Sequence, residues 1–224
     1  MRKKRFFWIV SLLLLILGMG CGPPGAEKAM QPTVEPSPTP VKLAPSSTLT
    51  QAPTERAVFI IAHQGFRDEE YTEPRTLLEE AGMEISVASS SLEIANGMLG
   101  GQVRPDLLVS EVRAADYDAV IFVGGAGAAE YWDDPQAHRL AREAVEQGKV
   151  LAAICIAPAT LAKAGVLEGK KATVFQSARG EVEAGGATYT GEPVVRDGLI
   201  ITANGPAATR QFGEMILQAL EEQE

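Results

Sequence analysis

One of the chain's two cysteines lies at a corner where proteins often place reactive groups. Cys155 follows the apolar run KVLAAI (149–154) and comes just before a helix-forming run. A side chain on such a sharp strand-to-helix turn points outward, and the free N–H groups at the start of the helix favour a thiolate. Pro158 agrees with this interpretation, because proline is well tolerated in the first turn of a helix. Position alone leaves an alternative open, in which Cys155 is a small buried hydrophobe.

The elements that would position Cys155 alternate along the chain between strands and helices. Continuous apolar runs such as AVFIIA are typical of strands covered on both faces. The patterns predict strands at 57–62, 84–89, 119–123, 149–154, 171–175 and 193–203, and helices at 69–82, 135–149, 157–165 and 206–220. The glycine-rich stretch 91–118 is expected to be an excursion between strands. This alternation predicts an α/β domain over 57–222, with a mostly parallel sheet and helices on both faces.

Three loops are expected to meet at one edge of this sheet. The first runs from His63 to Glu70, the second from Gly124 to Gly127, and the third holds Cys155. Each follows a predicted parallel strand, and ligands of open α/β sheets bind at the carboxyl ends of the strands. The sequence therefore predicts that the functional site is built from these loops.

The segments that carry these loops resemble the ThiJ/PfpI family, in the class I glutamine-amidotransferase-like superfamily. The similarity covers FRDEEYTEP, DYDAVIFVGGAGA, GKVLAAICIAPATLAKAGVLEGKKAT and DGLIITANGPAAT. It implies a flavodoxin-like three-layer sandwich with a cysteine nucleophile elbow at Cys155. It also implies that Glu70, four residues before Pro74, hydrogen-bonds the sulfur. A carboxylate beside a thiolate is unfavourable, so we expect the pair to share a proton, with Glu70 protonated and the sulfur ionised.

The same resemblance implies an anion-binding pocket made of backbone N–H groups near Gly124, Gly125 and Ile156. It also shows two departures from the family pattern. Peptidase-like members have histidine at the position of Ile156, and glyoxalase-like members have it nearest Phe175. Neither side chain transfers protons, so a Cys–His dyad is excluded at both places.

Two histidines remain in the chain. His138 lies in the predicted helix 135–149 and is expected at the surface. His63 follows the first strand, on the predicted functional edge, and is a candidate catalytic residue.

These observations favour a cysteine-dependent enzyme of the glyoxalase or deglycase type, acting on small reactive carbonyl compounds through Cys155, Glu70 and His63. Two alternatives stay open: a non-enzymatic thiol that senses oxidants, and a lipoprotein that binds a small ligand without converting it. A peptidase is less favoured because both usual histidines are missing. The scattered histidines and cysteines predict no metal site, and no cofactor is expected. The resemblance also implies that homodimers can form.

The N-terminal region predicts a location outside the cytoplasm. Residues 1–20 have a basic head and an apolar run of signal-peptide length, and Cys21 follows small residues, as in a bacterial lipobox. We therefore expect a cleaved leader and a lipid on Cys21, the alternative being an uncleaved anchor. Residues 22–56 are rich in proline, serine and threonine and are predicted to be a linker. The protein would then lie on the extracytoplasmic face of the membrane, in the cell envelope.

The net charge and the number of cysteines limit which molecules the protein can bind and whether it can form a disulfide. The net charge of −9 becomes −13 once the four basic residues of positions 1–20 are removed. A domain this acidic is a poor partner for nucleic acid. With Cys21 lipidated, Cys155 would have no cysteine left to pair with in the chain.

Overall fold

A computed structural model describes residues 54–223, which form a central sheet with helices on both sides. Its strands are β1 (Arg56–Ile60), β2 (Gln64–Phe66), β3 (Glu84–Ser89), β4 (Ala95–Gly97), β5 (Gln102–Val103), β6 (Leu107–Leu108), β7 (Ala119–Phe122), β8 (Val150–Ile154), β9 (Lys171–Ala172), β10 (Thr188–Tyr189), β11 (Val194–Asp197) and β12 (Ile200–Ala203). Its α-helices are α1 (Asp68–Glu80), α2 (Pro135–Glu146), α3 (Pro158–Lys163), α4 (Arg179–Ala184) and α5 (Thr209–Glu221).

Seven of these strands form the central sheet, in the order β11-β12-β8-β7-β1-β3-β6. Neighbouring strands are parallel except β11, which pairs antiparallel with β12. The parallel arrangement brings the carboxyl ends of β1, β7 and β8 to the same edge. The α/β class with a mostly parallel sheet is therefore confirmed.

The core divides into two layers because successive side chains of a strand point to opposite faces. Val58 and Ile60 of β1 belong to the hydrophobic cluster that also contains residues of α2, α3 and α4. Phe59, between them, belongs to the cluster that contains residues of α1 and α5. The strands are buried on both faces, which explains their continuous apolar sequences. The predicted three-layer sandwich is confirmed.

Two predicted strands differ from the structure. The run 193–203 is a hairpin, β11 and β12, which turns at Gly198 with a φ of 65°. The predicted strand 171–175 stops at Ala172 and pairs with β10 outside the central sheet. The strand ends there because the N–H of the next residue, Thr173, donates to the side-chain hydroxyl of Thr202 at 2.9 Å and not to a backbone carbonyl of a neighbouring strand.

Two further segments contain more regular structure than expected. The excursion 91–118 contains β4, β5 and β6, of which β6 joins the central sheet, together with short 3-10 turns. Helix α4 was not predicted.

Helix α1 carries the predicted carboxylate and accommodates a proline in its interior. Pro74 is buried and lies beside α5, where a Cβ added to Gly213 would come within 3.2 Å of the Pro74 Cα. Since proline has no N–H, it cannot donate the usual helical hydrogen bond to the carbonyl of Glu70, four residues earlier. The close packing of α1 on α5 holds this irregular helix against the sheet.

The predicted signal peptide, the lipidation site Cys21 and the linker as far as residue 53 lie outside the described residues. Arg56, which we assigned to the linker, begins β1. Within 54–223, no helix has both the length and the apolar character needed to cross a membrane.

Candidate active site

Cys155 lies on a strained turn between β8 and α3. Its φ is 62°, and it is the one non-glycine residue with a positive φ in the described range 54–223. Such a conformation costs a residue with a Cβ about 1–2 kcal/mol. The backbone fixes the turn, because the Cys155 N–H donates to Ala203 at 2.9 Å and its carbonyl accepts from Phe175 at 2.8 Å. The predicted cysteine elbow is confirmed.

The elbow opens onto a cavity of about 430 Å³. Residues from six regions line it, among them Glu70, Met98, Ala126, Cys155, Phe175 and Pro206. Three of these regions are the predicted loops, and a fourth, with Met98, comes from the segment that we interpreted as an excursion. The other two follow β9, with Phe175, and β12, with Pro206. Aliphatic and aromatic side chains surround a few polar groups, as is usual for a small-molecule site.

Glu70 is the fully buried carboxyl group of this cavity, with 0% of its surface exposed. Neither of its oxygens has a partner at hydrogen-bonding geometry within the described part of the chain. Burial raises the pKa of Glu70 to about 7, although the neighbouring Cys155 thiol, Arg67 and the Gly124 N–H act in the opposite direction. The carboxyl group therefore exchanges its proton near neutral pH.

The pKa of Cys155 moves in the direction opposite to the one expected from a helix N-terminus. Burial, followed by the Glu70 carboxylate, raises the pKa of the thiol to about 12, and the N–H groups of Gly125 and Ile156 offset only part of this. The Glu70 carboxylate thus disfavours a thiolate beside it. The pair consequently releases one proton near neutrality and holds the second far above it. Between these limits the Glu70 carboxylate carries the negative charge and the remaining proton lies on the sulfur, which reverses the assignment expected from the sequence. Transfer of that proton from the sulfur to Glu70 gives the thiolate.

Two glycines allow the backbone to approach this pair. A Cβ on Gly124 would come within 2.4 Å of both the Cys155 Cβ and the Glu70 Oε2. Gly125 has a φ of 98°, and a Cβ there would collide with the backbone N of Arg67. The N–H groups of the predicted anion pocket act on the pair itself: that of Gly124 lowers the pKa of Glu70, and those of Gly125 and Ile156 lower the pKa of Cys155.

Arg67 is a cavity residue that the sequence analysis did not single out. Its guanidinium makes a bidentate ion pair with Glu69, at 2.8 and 3.0 Å, and the charges of Glu70 and Cys155 also contribute to raising its pKa. It lies in the first predicted loop, three residues before Glu70. Its position in that loop is the sequence feature that could have identified it as a cavity residue.

The two histidines lie apart from the chemistry described above. His63 is not among the residues that line the cavity; its backbone N–H donates to Glu130 at 3.0 Å. His138 is in α2, where its Nε2 lies 2.7 Å from the Trp132 carbonyl oxygen. The two positions at which the resemblance expects histidine, Ile156 and Phe175, do line the cavity. No cluster of three or more His, Cys, Asp or Glu side chains suited to a metal ion occurs within 54–223.

Comparison with known proteins agrees with this fold and with the resemblance. The DJ-1/PfpI family model matches residues 55–219. An uncharacterized protein of Methanocaldococcus jannaschii is 38% identical over 169 residues, covering 74% of this chain and 82% of that protein. Deglycase PfpI of Pyrococcus furiosus is 31% identical over 165 residues, covering 72% of this chain and 99% of that protein. The crystal structure of a ThiJ/PfpI domain protein from Brachyspira murdochii matches with a TM-score of 0.74 and 36% identity, covering 75% of this chain and 98% of that one. The chain therefore belongs to the DJ-1/PfpI family.

Proposed function

We propose that this protein is a cysteine-dependent enzyme of the glyoxalase or deglycase type, acting on small reactive carbonyl compounds. One observation carries the proposal: the thiol of a strained elbow lies beside a fully buried carboxyl group that has no partner at hydrogen-bonding geometry within residues 54–223, and both line a cavity. The name of the Pyrococcus furiosus relative, a deglycase, supports the same class of reaction.

The first step uses the proton that Glu70 and Cys155 share. When the proton lies on Glu70, the sulfur is the thiolate, which the N–H groups of Gly125 and Ile156 stabilise. The sulfur attacks the aldehyde carbon, an S–C bond forms, and the electron pair of the C=O bond moves to oxygen. That oxygen takes the proton from Glu70, and the product is a neutral hemithioacetal on Cys155.

For a 2-oxoaldehyde the remaining steps need no added oxidant or reductant. The Glu70 carboxylate removes the proton from the former aldehyde carbon and returns it to the neighbouring carbon. The hydroxyl of the hemithioacetal gives up its proton and becomes the thioester carbonyl, and the ketone oxygen takes up that proton and becomes a hydroxyl. The first carbon is thereby oxidised to a thioester and the second reduced to an alcohol. Water then cleaves the S–C bond, which releases a 2-hydroxy acid and restores the thiol. Within this cavity Glu70 is the group that can move these protons.

Peptide hydrolysis is less well supported by the same cavity. An amide leaves poorly unless its nitrogen is protonated, and the usual acid in a cysteine peptidase is histidine. The side chains of Ile156 and Phe175, at the two expected positions, cannot donate a proton. No histidine is among the cavity-lining residues described for 54–223.

Turnover of methylglyoxal, measured as formation of lactate, tests the proposal. Cys155→Ser is expected to lower the rate about a thousandfold or more, and Glu70→Gln by about 10²–10⁴-fold. Glu80→Gln, an exposed carboxylate on the same helix, is the matched control and should leave the rate unchanged. If no carbonyl substrate is consumed but peroxide oxidises Cys155 in a Glu70-dependent way, the oxidant-sensing alternative replaces this proposal.

We also propose that the protein is held at the extracytoplasmic face of the membrane by a lipid on Cys21. The support is the basic head, apolar run and following cysteine of residues 1–21, and the proline-rich segment after them. Labelling of expressing bacteria with a radioactive fatty acid is expected to mark the wild type and the Cys155→Ala control but not Cys21→Ala. Label retained in Cys21→Ala would exclude this anchor. A homodimer stays a prediction, which light scattering checks.

A further inference from the structure

One residue of the cavity that holds Cys155 and Glu70 uses its backbone N–H for a hydrogen bond to neither of them. The N–H groups of Gly124, Gly125 and Ile156 each lower the pKa of Glu70 or Cys155, so they stabilise the charged forms of the pair. The next amide in the loop, that of Ala126, also lies at the wall of the cavity. It donates to the sulfur of Met98, with 3.4 Å between the Ala126 N and the Met98 Sδ.

This hydrogen bond is one that a ligand can replace. A thioether sulfur is a weak acceptor, and a carbonyl oxygen or an alkoxide is a stronger one. Met98 is 47% exposed, and its unbranched side chain rotates easily. The Ala126 N–H is therefore occupied by a group that leaves at low cost.

The backbone around Met98 is fixed, so that displacement requires only its side chain to move. The Asp68 carboxylate accepts from the N–H of Leu99 at 2.8 Å and from the N–H of Gly101 at 2.6 Å. A Cβ on Gly101 would come within 2.3 Å of the same carboxylate. Asp68 is thus a positioning residue that places Met98 over the cavity.

A second observation indicates that this part of the cavity receives a polar ligand. Glu70 is completely buried, lines the same cavity and has no hydrogen-bond partner at either oxygen among the residues described. A buried polar group without a partner is costly, and protonated Glu70 would donate its O–H to a bound substrate oxygen. The donor at Ala126 and the acid at Glu70 thus line the cavity into which Cys155 opens.

We infer that the Ala126 N–H binds the carbonyl oxygen of the substrate, and that Met98 is a gate which leaves this N–H when the substrate enters. This inference rests on the proposed function. As the sulfur adds to the aldehyde carbon, the oxygen gains the electron pair of the broken C=O π bond. The Ala126 N–H stabilises the resulting negative charge until Glu70 delivers its proton.

Removal of this single N–H is possible by substitution with proline. Ala126 has an exposed side chain and is the first residue of a short 3-10 turn, where proline is accepted. Gly125 before it has a ψ of 162°, which is compatible with a following proline. Ala126→Ser changes the exposed side chain but keeps the N–H, and is the matched comparison.

The experiment measures the rate at which methylglyoxal converts the Cys155 thiol of the full chain to a hemithioacetal, followed by loss of titratable thiol. Ala126→Pro is expected to react about a hundredfold more slowly than the wild type, as for loss of one oxyanion donor. Ala126→Ser should stay far above Ala126→Pro. Alkylation by iodoacetamide reports whether the thiol and the fold are intact, and Ala126→Pro should retain it.

Met98→Leu provides an independent measurement that does not rely on a proline. It removes the sulfur acceptor while keeping a side chain of similar size, so hemithioacetal formation should become a few-fold faster. Equal rates for Ala126→Pro and the wild type, with no gain in Met98→Leu, would overturn the inference and leave the proposed function standing. A wild type that forms no hemithioacetal would overturn both.

Discussion

The buried carboxyl group of Glu70 should make the stability of the protein depend on pH in a way that a single substitution removes. Its pKa is about 7 in the folded protein, against an ordinary value of 4.5 for a glutamate carboxyl group. Between these values the folded state binds more protons than the unfolded state, so the free energy of unfolding falls as the pH rises. The stabilising effect is complete below about pH 4.5 and is lost as the pH passes through about 7.

The size of the effect follows from the two pKa values. Each unit of pKa difference corresponds to about 1.4 kcal/mol, so the interval from 4.5 to 7 corresponds to about 3 kcal/mol. Glu70 has 0% of its surface exposed, so solvent screening does not reduce this figure appreciably. In Glu70→Gln the side chain has no proton to lose, and this contribution disappears.

Urea unfolding from pH 4.5 to pH 8 measures the effect, with Glu80→Gln as the control for a carboxylate on the same helix. The free energy of unfolding of the wild type, minus that of Glu70→Gln, is expected to fall by about 3 kcal/mol across this range. The same difference for Glu80→Gln should change little. A difference between wild type and Glu70→Gln that is constant with pH would refute the claim that Glu70 titrates near neutrality in the folded protein.

Three further substitutions test the geometry around the pair. Cys155→Ala is expected to raise the pKa of Glu70 further, because the thiol lowers it in the wild type. The free energy of unfolding should then fall by more between pH 4.5 and pH 8 than in the wild type, as urea unfolding of this variant measures. Cys155→Gly should be more stable than Cys155→Ala by about 1 kcal/mol, because glycine adopts the φ of 62° without strain; equal stabilities in urea would argue against strain at the elbow. Gly124→Ala should destabilise the protein by about 1–3 kcal/mol and slow Cys155 alkylation, because the new Cβ collides with Cys155 and Glu70. The control Gly180→Ala, which meets no atom within 4 Å, should cost nothing, so similar losses for both glycine variants would contradict the collision argument.

The features of the site that are local in sequence could be predicted, and those that depend on packing could not. The apolar run before Cys155 and the helix former after it fixed the elbow, and the resemblance identified Glu70. Met98 could not be identified, because the segment around it has no regular periodicity and its position depends on the contacts of Asp68 with Leu99 and Gly101.

The predicted direction of the Cys155 pKa shift was wrong because it, too, depends on packing. The sequence indicated a helix N-terminus, which lowers the pKa of a thiol, but it did not show how deeply the sulfur and the Glu70 carboxyl group are buried together. In the fold, by contrast, one error was avoidable. Asp197-Gly198 is a strong hairpin-turn signal, and it divides the run 193–203 where the structure does.

The rate of Cys155 alkylation by iodoacetamide from pH 4 to pH 10, in the wild type and in Glu70→Gln, tests the shared proton most directly. In the wild type the rate should rise around pH 7, where the pair loses its first proton. In Glu70→Gln that rise should move above about pH 8.5, since an isolated buried thiol has at least the ordinary pKa of about 8.5. Identical pH profiles for the two proteins would show that Glu70 does not control the sulfur, and would contradict the mechanism proposed for this site.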